Sequence, residues 1–265
     1  MAINIDKRAI VSPDAIIEED VTIGPYSIIN DKVHIKEGTV IGAYVFIDNG
    51  TTIGKNCKIY HHTSIGTSPQ DLKYNGEETF LEIGDNTVIR EFVDINRGTT
   101  ESFTTRIGSN VLLMAYTHIA HDCQIGDRVI LANAVNLGGH VVIGDDVVVG
   151  GMVPVHQFTH IGNYSIIGGG WRVPVDVPPF VTAAGDPLSY KGLNVIGLKR
   201  KGFDFKRMNI IKRVYRMIYD SNLSREKMIE ELEMSFPNNK DVQLIVEFLK
   251  NSTRSLLKGF SRKSK

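Results

Sequence analysis

Cysteine and tryptophan are almost missing from this 265-residue chain, which has two of the first and one of the second. Two cysteines cannot build a disulfide framework, which excludes a small secreted scaffold. No uninterrupted apolar run approaches the ~18 residues of a membrane span. The start of the chain, Met1 to Asp6, carries no apolar h-region and no cleavage pattern. A soluble, reducing, cytoplasmic setting is the resulting expectation. Net charge is also lacking, at +0, but the balance hides an asymmetry. Residues 1–190 carry 12 Lys/Arg against 22 Asp/Glu, and residues 191–265 carry 18 against 8. The basic end suits an anionic partner. Aromatic residues are not interleaved with the basic ones, so nucleic acid is not the expected partner.

What the chain does have is a six-residue beat. An aliphatic residue stands at every sixth position from Ile5 to Ile65, again at Ile83, Ile89 and Ile95, and from Ile107 to Val173. A typical unit is Ile23-Gly24-Pro25-Tyr26-Ser27-Ile28. A period of six does not fit an amphipathic helix. It fits short strands joined by turns. Gly is frequent at the second position and polar residues at the third and fourth, where a turn belongs. The fifth position is small or β-branched, and both Cys57 and Cys123 fall there, as small core residues. Three such units make a coil of 18 residues, and successive coils pair as parallel strands about 4.8 Å apart. The expected fold is mainly β, a parallel β-helix of hexapeptide repeats whose coils touch only their neighbours.

Two polar excursions, residues 67–82 and 100–106, break the beat; in solenoids such insertions map to loops on one face. Pro174, Pro178 and Pro179 close the repeat and are expected to end the sheet. Beyond about residue 188 the pattern turns helical. Ile210, Ile211, Val214, Met217 and Ile218 form one 3.6-period stripe. Met228, Ile229, Leu232 and Phe236 form a second, with Ser224 as cap. Val242, Leu244, Ile245, Phe248 and Leu249 form a third. The chain thus divides into a β-helix over 1–187 and a small C-terminal α-helical domain over 188–265. The basic tail Ser261–Lys265 is expected to fray.

The 18-residue register brings distant residues together. His121 stands beneath Gly139, and Gly139 beneath Gln157; Asp122 stands beneath His140. With His156, these residues make one polar, outward-facing patch across three coils. A histidine beside a carboxylate suits general-base work near neutral pH. A glycine above it offers a bare backbone N–H to an oxyanion. No Ser or Cys nucleophile joins the patch, which points to direct acyl transfer to a hydroxyl. A zinc site would need three protein ligands and an open position. Two coils on from His121 stands Gln157, not a ligand, so no metal is expected. Gln70, Asp71 and Lys73 in the longer excursion suit a sugar or phosphate. Asn194 and Arg200 are candidates for a diphosphate.

Several segments together carry a resemblance to a known family: Gln70-Asp71-Leu72-Lys73-Tyr74, His118-Ile119-Ala120-His121-Asp122-Cys123, Leu131-Ala132-Asn133, Gly139-His140, Val155-His156-Gln157-Phe158, Asp176-Val177-Pro178-Pro179 and Gly197-Leu198-Lys199-Arg200. Over nearly its whole length the chain resembles the UDP-N-acetylglucosamine O-acyltransferases, which open lipid A biosynthesis. The resemblance implies a left-handed β-helix, an exception to the usual crossover hand. It also implies a homotrimer with sites between subunits and no cofactor. The reaction would move an (R)-3-hydroxyacyl group from acyl carrier protein to the 3-hydroxyl of UDP-N-acetylglucosamine. His121 would be general base, Asp122 its partner and Gly139 the oxyanion donor. Asp71, Lys73, His118, His140 and Gln157 would contact sugar or substrate, and Asn194 and Arg200 the nucleotide. The basic C-terminal region would dock the acidic carrier protein. Gly169 and Trp171 are candidates for the acyl-length ruler. Departures are Trp171 itself, Ile196 in place of an acidic nucleotide contact, and Asn96 in place of a histidine. The alternatives are an N-acyltransferase acting on a UDP-amino sugar and a non-catalytic β-helix binding module. Whether the acceptor atom is a 3-hydroxyl oxygen or a 3-amino nitrogen stays open at this stage.

Overall fold

The first and fifth positions of each hexad face inward, and that alternation builds a three-faced prism. The computed structural model describes residues 3–221 and 223–259; the tail Ser261–Lys265 lies outside them. Three sheets of 11, 8 and 8 strands form the faces, with most strands two residues long. The inner aliphatic residues stack coil on coil: Ile5 pairs with Ile23, Val11 with Ile29 and Ile17 with Ile35. The excursions stretch this register without breaking it. Ile59 pairs with Ile89, and Ile89 with Leu113. The longer excursion is a loop over residues 68–79, between strands Ser64–Thr67 and Phe80–Ile83. The shorter one covers residues 97–103, between strands Asp94–Asn96 and Thr104–Ile107.

Each hexad position has a physical task. Fifth-position side chains point into the prism, and several polar ones cap a carbonyl of the next coil. Ser27 Oγ donates to Gly42 O at 2.8 Å, Thr39 Oγ1 to Gly54 O at 2.8 Å, and Cys123 Sγ to Gly138 O at 3.3 Å. Burial pushes the Cys123 thiol up to about 12, so it is a packing residue. Second-position glycines allow close approach: a Cβ on Gly24 would lie 2.7 Å from Gly42 backbone atoms. Fourth-position residues adopt left-handed backbone although most are not glycine, as at Tyr26 (φ 59°), Asp122 (φ 60°) and His140 (φ 60°). Their N–H groups are held by the coil below, as when His140 N donates to His121 O at 3.0 Å.

The prolines close the hexad stack on two faces, and on the third the sheet continues. Val173 bridges to Val155 and Val177 to Ile161. Strand Val181–Ala184 pairs in parallel with Ile166–Ile167, and strand Ser189–Leu193 closes antiparallel on it. Second-position N–H groups donate to the coil above; Pro174 and Pro178 follow the last hexad bridges of their faces, and beside Pro178 the C-terminal segment bridges in parallel from Leu256 to Asp176. At Pro174 a missing donor leaves no ladder bond unmade among the described residues. Among the described residues four helices follow: α1 (Val195–Arg200), α2 (Phe205–Asp220), α3 (Arg225–Ser235) and α4 (Lys240–Asn251). The three stripes became α2, α3 and α4, with Ser224 capping α3 as expected. Short α1 was not anticipated. Buried Asp176 fastens the helical end to the prism, accepting from His160 N at 2.7 Å, Ser252 Oγ at 2.6 Å and Arg254 N at 3.1 Å.

Fully buried Ile47 and exposed Lys58 test this division of labour. Ile47→Ala should lower unfolding free energy by about 2–5 kcal/mol. Lys58→Ala should stay within about 0.5 kcal/mol. Denaturant titration of both variants reads the difference.

Candidate active site

A turn at one corner of the prism sets His121 on the surface and its neighbour Asp122 beneath it. Asp122 shares the left-handed backbone of other fourth-position residues, but the loop 97–103 covers its side chain, which is 0% exposed. This differs from the outward patch expected for both residues: His121 retains 13% exposure and Asp122 none. His121 Nδ1 lies 2.8 Å from Asp122 Oδ2. The same carboxylate accepts from Thr99 N at 3.0 Å, Thr99 Oγ1 at 2.7 Å and Ser102 Oγ at 2.5 Å. Burial works to raise the Asp122 carboxyl. The hydrogen bonds from His121, Ser102 and Thr99 outweigh it and hold the group well below the usual carboxylate range. An ionised carboxylate can only accept, so Nδ1 carries the imidazole proton and Nε2 keeps the free lone pair.

Gly139 lies against that lone pair. A Cβ placed on it would come within 2.6 Å of His121 Cε1 and 2.7 Å of Nε2, so only glycine fits with the ring in place. Among the described residues nothing accepts from the Gly139 N–H. At another corner some third-position N–H groups are capped, as where Ser109 N donates to Asp127 Oδ1 and Asp127 N to Asp145 Oδ1, both at 2.8 Å; at this corner His121 N and Gln157 N are bare like Gly139 N among the described residues. A bare donor beside a positioned base is the arrangement acyl transfer requires. His140 completes the patch, edge-on to His121 at 5.1 Å between ring centroids and stacked on Phe158 at 4.5 Å.

His121, Asp122 and His140 place ligating atoms within 4.8 Å of one another. Each Asp122 oxygen already accepts two hydrogen bonds from protein donors. This saturation suits a partner for His121 better than a metal ligand.

The loop 68–79 folds toward this corner and closes a cavity of about 350 Å³. Gln70, Asp71 and Lys73 line it together with Thr99, His121, His140 and Gln157. The structure thus joins the two clusters that the sequence kept apart. Arg97 anchors the loop, a role no sequence pattern suggested. Its guanidinium donates to Asp48 Oδ2 and Gly66 O at 3.0 Å, to Ser68 Oγ at 3.2 Å and to Tyr74 Oη at 3.1 Å. Thr99 and Ser102 were missed as well, because an insertion has no register from which to read neighbours.

Other expected site residues lie outside the cavity. His118 pairs through Nδ1 with Asp94 Oδ2 at 2.8 Å on the adjoining face. His156 donates through Nδ1 to Gln157 O at 3.0 Å. Asn194 caps α1, accepting from Gly197 N at 3.1 Å and donating to Tyr164 O at 2.9 Å. Arg200 and Ile196 are exposed on α1. Gly169 stacks on Gly151 at another corner, and Trp171 packs near Gly168. Asn96 is buried, donating to Thr67 Oγ1 at 3.0 Å.

Prism and patch define a class, the hexapeptide-repeat bacterial transferases. The family model for the bacterial transferase hexapeptide matches residues 14–49 and 104–139, and domain 2 of the UDP-N-acetylglucosamine O-acyltransferases matches residues 176–257. An acyl-[acyl-carrier-protein]–UDP-N-acetylglucosamine O-acyltransferase of Alkalilimnicola ehrlichii is 44% identical over 255 residues, covering 96% of this chain and 99% of that one. The solved structure of LpxA from Acinetobacter baumannii superposes with a TM-score of 0.93 at 42% identity, over 96% of this chain and 99% of that one. UDP-N-acetylglucosamine O-acyltransferase from Moraxella catarrhalis gives 0.93 at 41% identity, with the same coverage. This chain belongs to the UDP-N-acetylglucosamine O-acyltransferase family.

The Asp122 carboxylate makes stability depend on pH. Its folded value is depressed, so its contribution is present above the unfolded value of about 3.9 and is lost as pH falls toward the folded value. The melting-temperature gap between the wild-type protein and Asp122→Asn should therefore be widest above about pH 4 and narrow in more acid buffer. Thermal melts across pH 3–7 check this.

Proposed function

We propose that this chain transfers an (R)-3-hydroxyacyl group from acyl carrier protein to the 3-hydroxyl of UDP-N-acetylglucosamine, the first step of lipid A biosynthesis. The observation that carries the reading is the Gly139 N–H, without a partner among the described residues, set against the Nε2 side of a carboxylate-fixed His121. His121 Nε2 removes the proton of the sugar hydroxyl as its oxygen attacks the thioester carbonyl. The C–O bond forms, and the Gly139 N–H holds the oxyanion of the tetrahedral intermediate. The C–S bond then breaks, and the proton on Nε2 passes to the departing thiolate. Asp122 stabilises the transient imidazolium without taking its proton. Gln70, Asp71, Lys73, His140 and Gln157 line the cavity and suit the sugar and its phosphate. In this reading His118, His156, Asn194 and Arg200 extend substrate binding beyond the cavity, and Gly169 and Trp171 bound the acyl chain.

Lys212, Arg213 and Arg216 are exposed on α2, and Lys199 and Arg200 on α1, and these cations suit an acidic carrier protein. Two features support a homotrimer with sites between subunits. The cavity is lined mainly by polar side chains, whereas Gly150, Gly151, Gly168 and Gly169 leave a different corner bare at similar height on the stack. Along that same corner, Tyr26, Tyr44, His62, Phe92 and Tyr116 form a stacked, exposed column of rings at about 5 Å spacing. A second copy laid along the column would bury its apolar edges and bring a bare corner to the polar site. Two unpaired cysteines fit a cytoplasmic location.

Incubation with both substrates, followed by mass spectrometry of the sugar nucleotide, tests the reaction. The wild-type protein should yield O-acylated nucleotide, and His121→Ala should turn over at least ~100-fold more slowly. Near-normal turnover in that variant would remove His121 from the base role.

A further inference from the structure

The shorter excursion has a purpose that its sequence does not announce. Residues 97–103 interrupt the hexad register, and Gly98 and the left-handed Phe103 (φ 59°) fold them tightly back on themselves. A Cβ on Gly98 would lie 2.5 Å from Thr104 N, and Phe103 N donates to Thr99 O at 2.7 Å. The folded loop directs three donors at one carboxylate. Thr99 N reaches Asp122 Oδ1, Thr99 Oγ1 reaches Oδ2, and Ser102 Oγ reaches Oδ1. The hydroxyl orientations are themselves fixed. Glu101 N donates to Thr99 Oγ1 at 3.3 Å, which occupies a lone pair and turns its proton toward Asp122. The single Ser102 proton has Asp122 Oδ1 at 2.5 Å and Thr104 O at 3.2 Å, and goes to the nearer, charged acceptor. Thr105 Oγ1 accepts from Asp122 N at 2.8 Å and fixes the backbone from below.

We propose that Thr99 and Ser102 are positioning residues that extend the His121–Asp122 pair into a four-residue relay, and that the 97–103 insertion exists to supply them. They act on the reaction through Asp122. Their donors keep the buried carboxylate ionised and locked toward His121 Nδ1, which holds Nε2 on the Gly139 side. They also draw off part of the carboxylate charge, and so moderate how strongly it stabilises protonated His121. Two consequences follow in opposite directions. Loss of a donor loosens the imidazole and slows transfer. The same loss leaves more negative charge facing His121, which makes Nε2 harder to deprotonate and moves its titration to higher pH.

The inference rests on the acyltransferase reading, so its test needs one arm that does not depend on turnover. In Thr99→Val and Ser102→Ala, kcat should fall about tenfold or more, a fraction of the ~10²–10⁴-fold that general-base catalysis supplies. KM for UDP-N-acetylglucosamine should be little changed. Ser102→Thr, which keeps the hydroxyl, should recover most of the turnover lost in Ser102→Ala. In the second arm, the pH dependence of His121 carbethoxylation by diethylpyrocarbonate, followed on the His121 peptide by mass spectrometry, gives the imidazole titration directly. Its midpoint should rise in both loss variants and return in Ser102→Thr. If Thr99→Val does not fold, Ser102→Ala decides, because it removes one hydroxyl and leaves the loop backbone intact. An unchanged midpoint in a folded loss variant overturns the relay, whatever happens to turnover. A shifted midpoint in a protein that shows no transfer at all would support the relay and overturn the proposed reaction instead.

Discussion

One hydrogen bond, His121 Nδ1–H to Asp122 Oδ2 at 2.8 Å, organises the functional end of this molecule. It settles the tautomer, and the tautomer determines which ring nitrogen can act as a base. The fold spends much of its local irregularity on securing that bond. Asp122 takes the left-handed backbone common to its hexad position, and an insertion roofs its carboxylate with three donors. A buried carboxylate without such partners would protonate, and the imidazole would lose both its orientation and its counter-charge.

The β-helix suits this arrangement because its geometry is set by repetition. Coils about 4.8 Å apart put residues 18 positions apart in direct contact, with no loop entropy left to blur the spacing. His121, Gly139 and Gln157 belong to three consecutive coils, and each is held by backbone ladders whose inner side is packed with Ile, Val and Leu. The adaptable parts are added as insertions. The 68–79 loop, anchored by Arg97, supplies Gln70, Asp71 and Lys73, and the 97–103 loop supplies Thr99 and Ser102. A rigid stack thus carries the reacting groups, and the loops carry recognition and support.

Much of this was legible in the sequence wherever the register held. The hexad beat indicated the prism, the inward first and fifth positions, and the stacking of Gly139 on His121. The handedness of the coil was not legible in the hexads and came only from the resemblance to the acyltransferase family. Where the register failed, so did the reading. Asp122 was expected to face outward, because the sequence does not reveal that the 97–103 insertion folds over it. Thr99, Ser102 and Arg97 lie in or beside insertions, where no periodicity names a neighbour. The prolines near residue 174 were expected to stop the sheet. They close the hexads on two faces, while on the third the strand Val181–Ala184 extends the sheet. The sequence did not show that Asn194, singled out for a nucleotide, also caps α1.

The account stands on a single spatial claim, that the acceptor hydroxyl meets His121 at the face shared with Gly139. A crystal structure of the protein soaked with UDP-N-acetylglucosamine examines it most directly. The account predicts the sugar 3-oxygen within about 3 Å of His121 Nε2, on the side of the Gly139 amide. A well-ordered sugar whose 3-oxygen lies beyond hydrogen-bond reach of that nitrogen, with the ring still paired to Asp122, would contradict it.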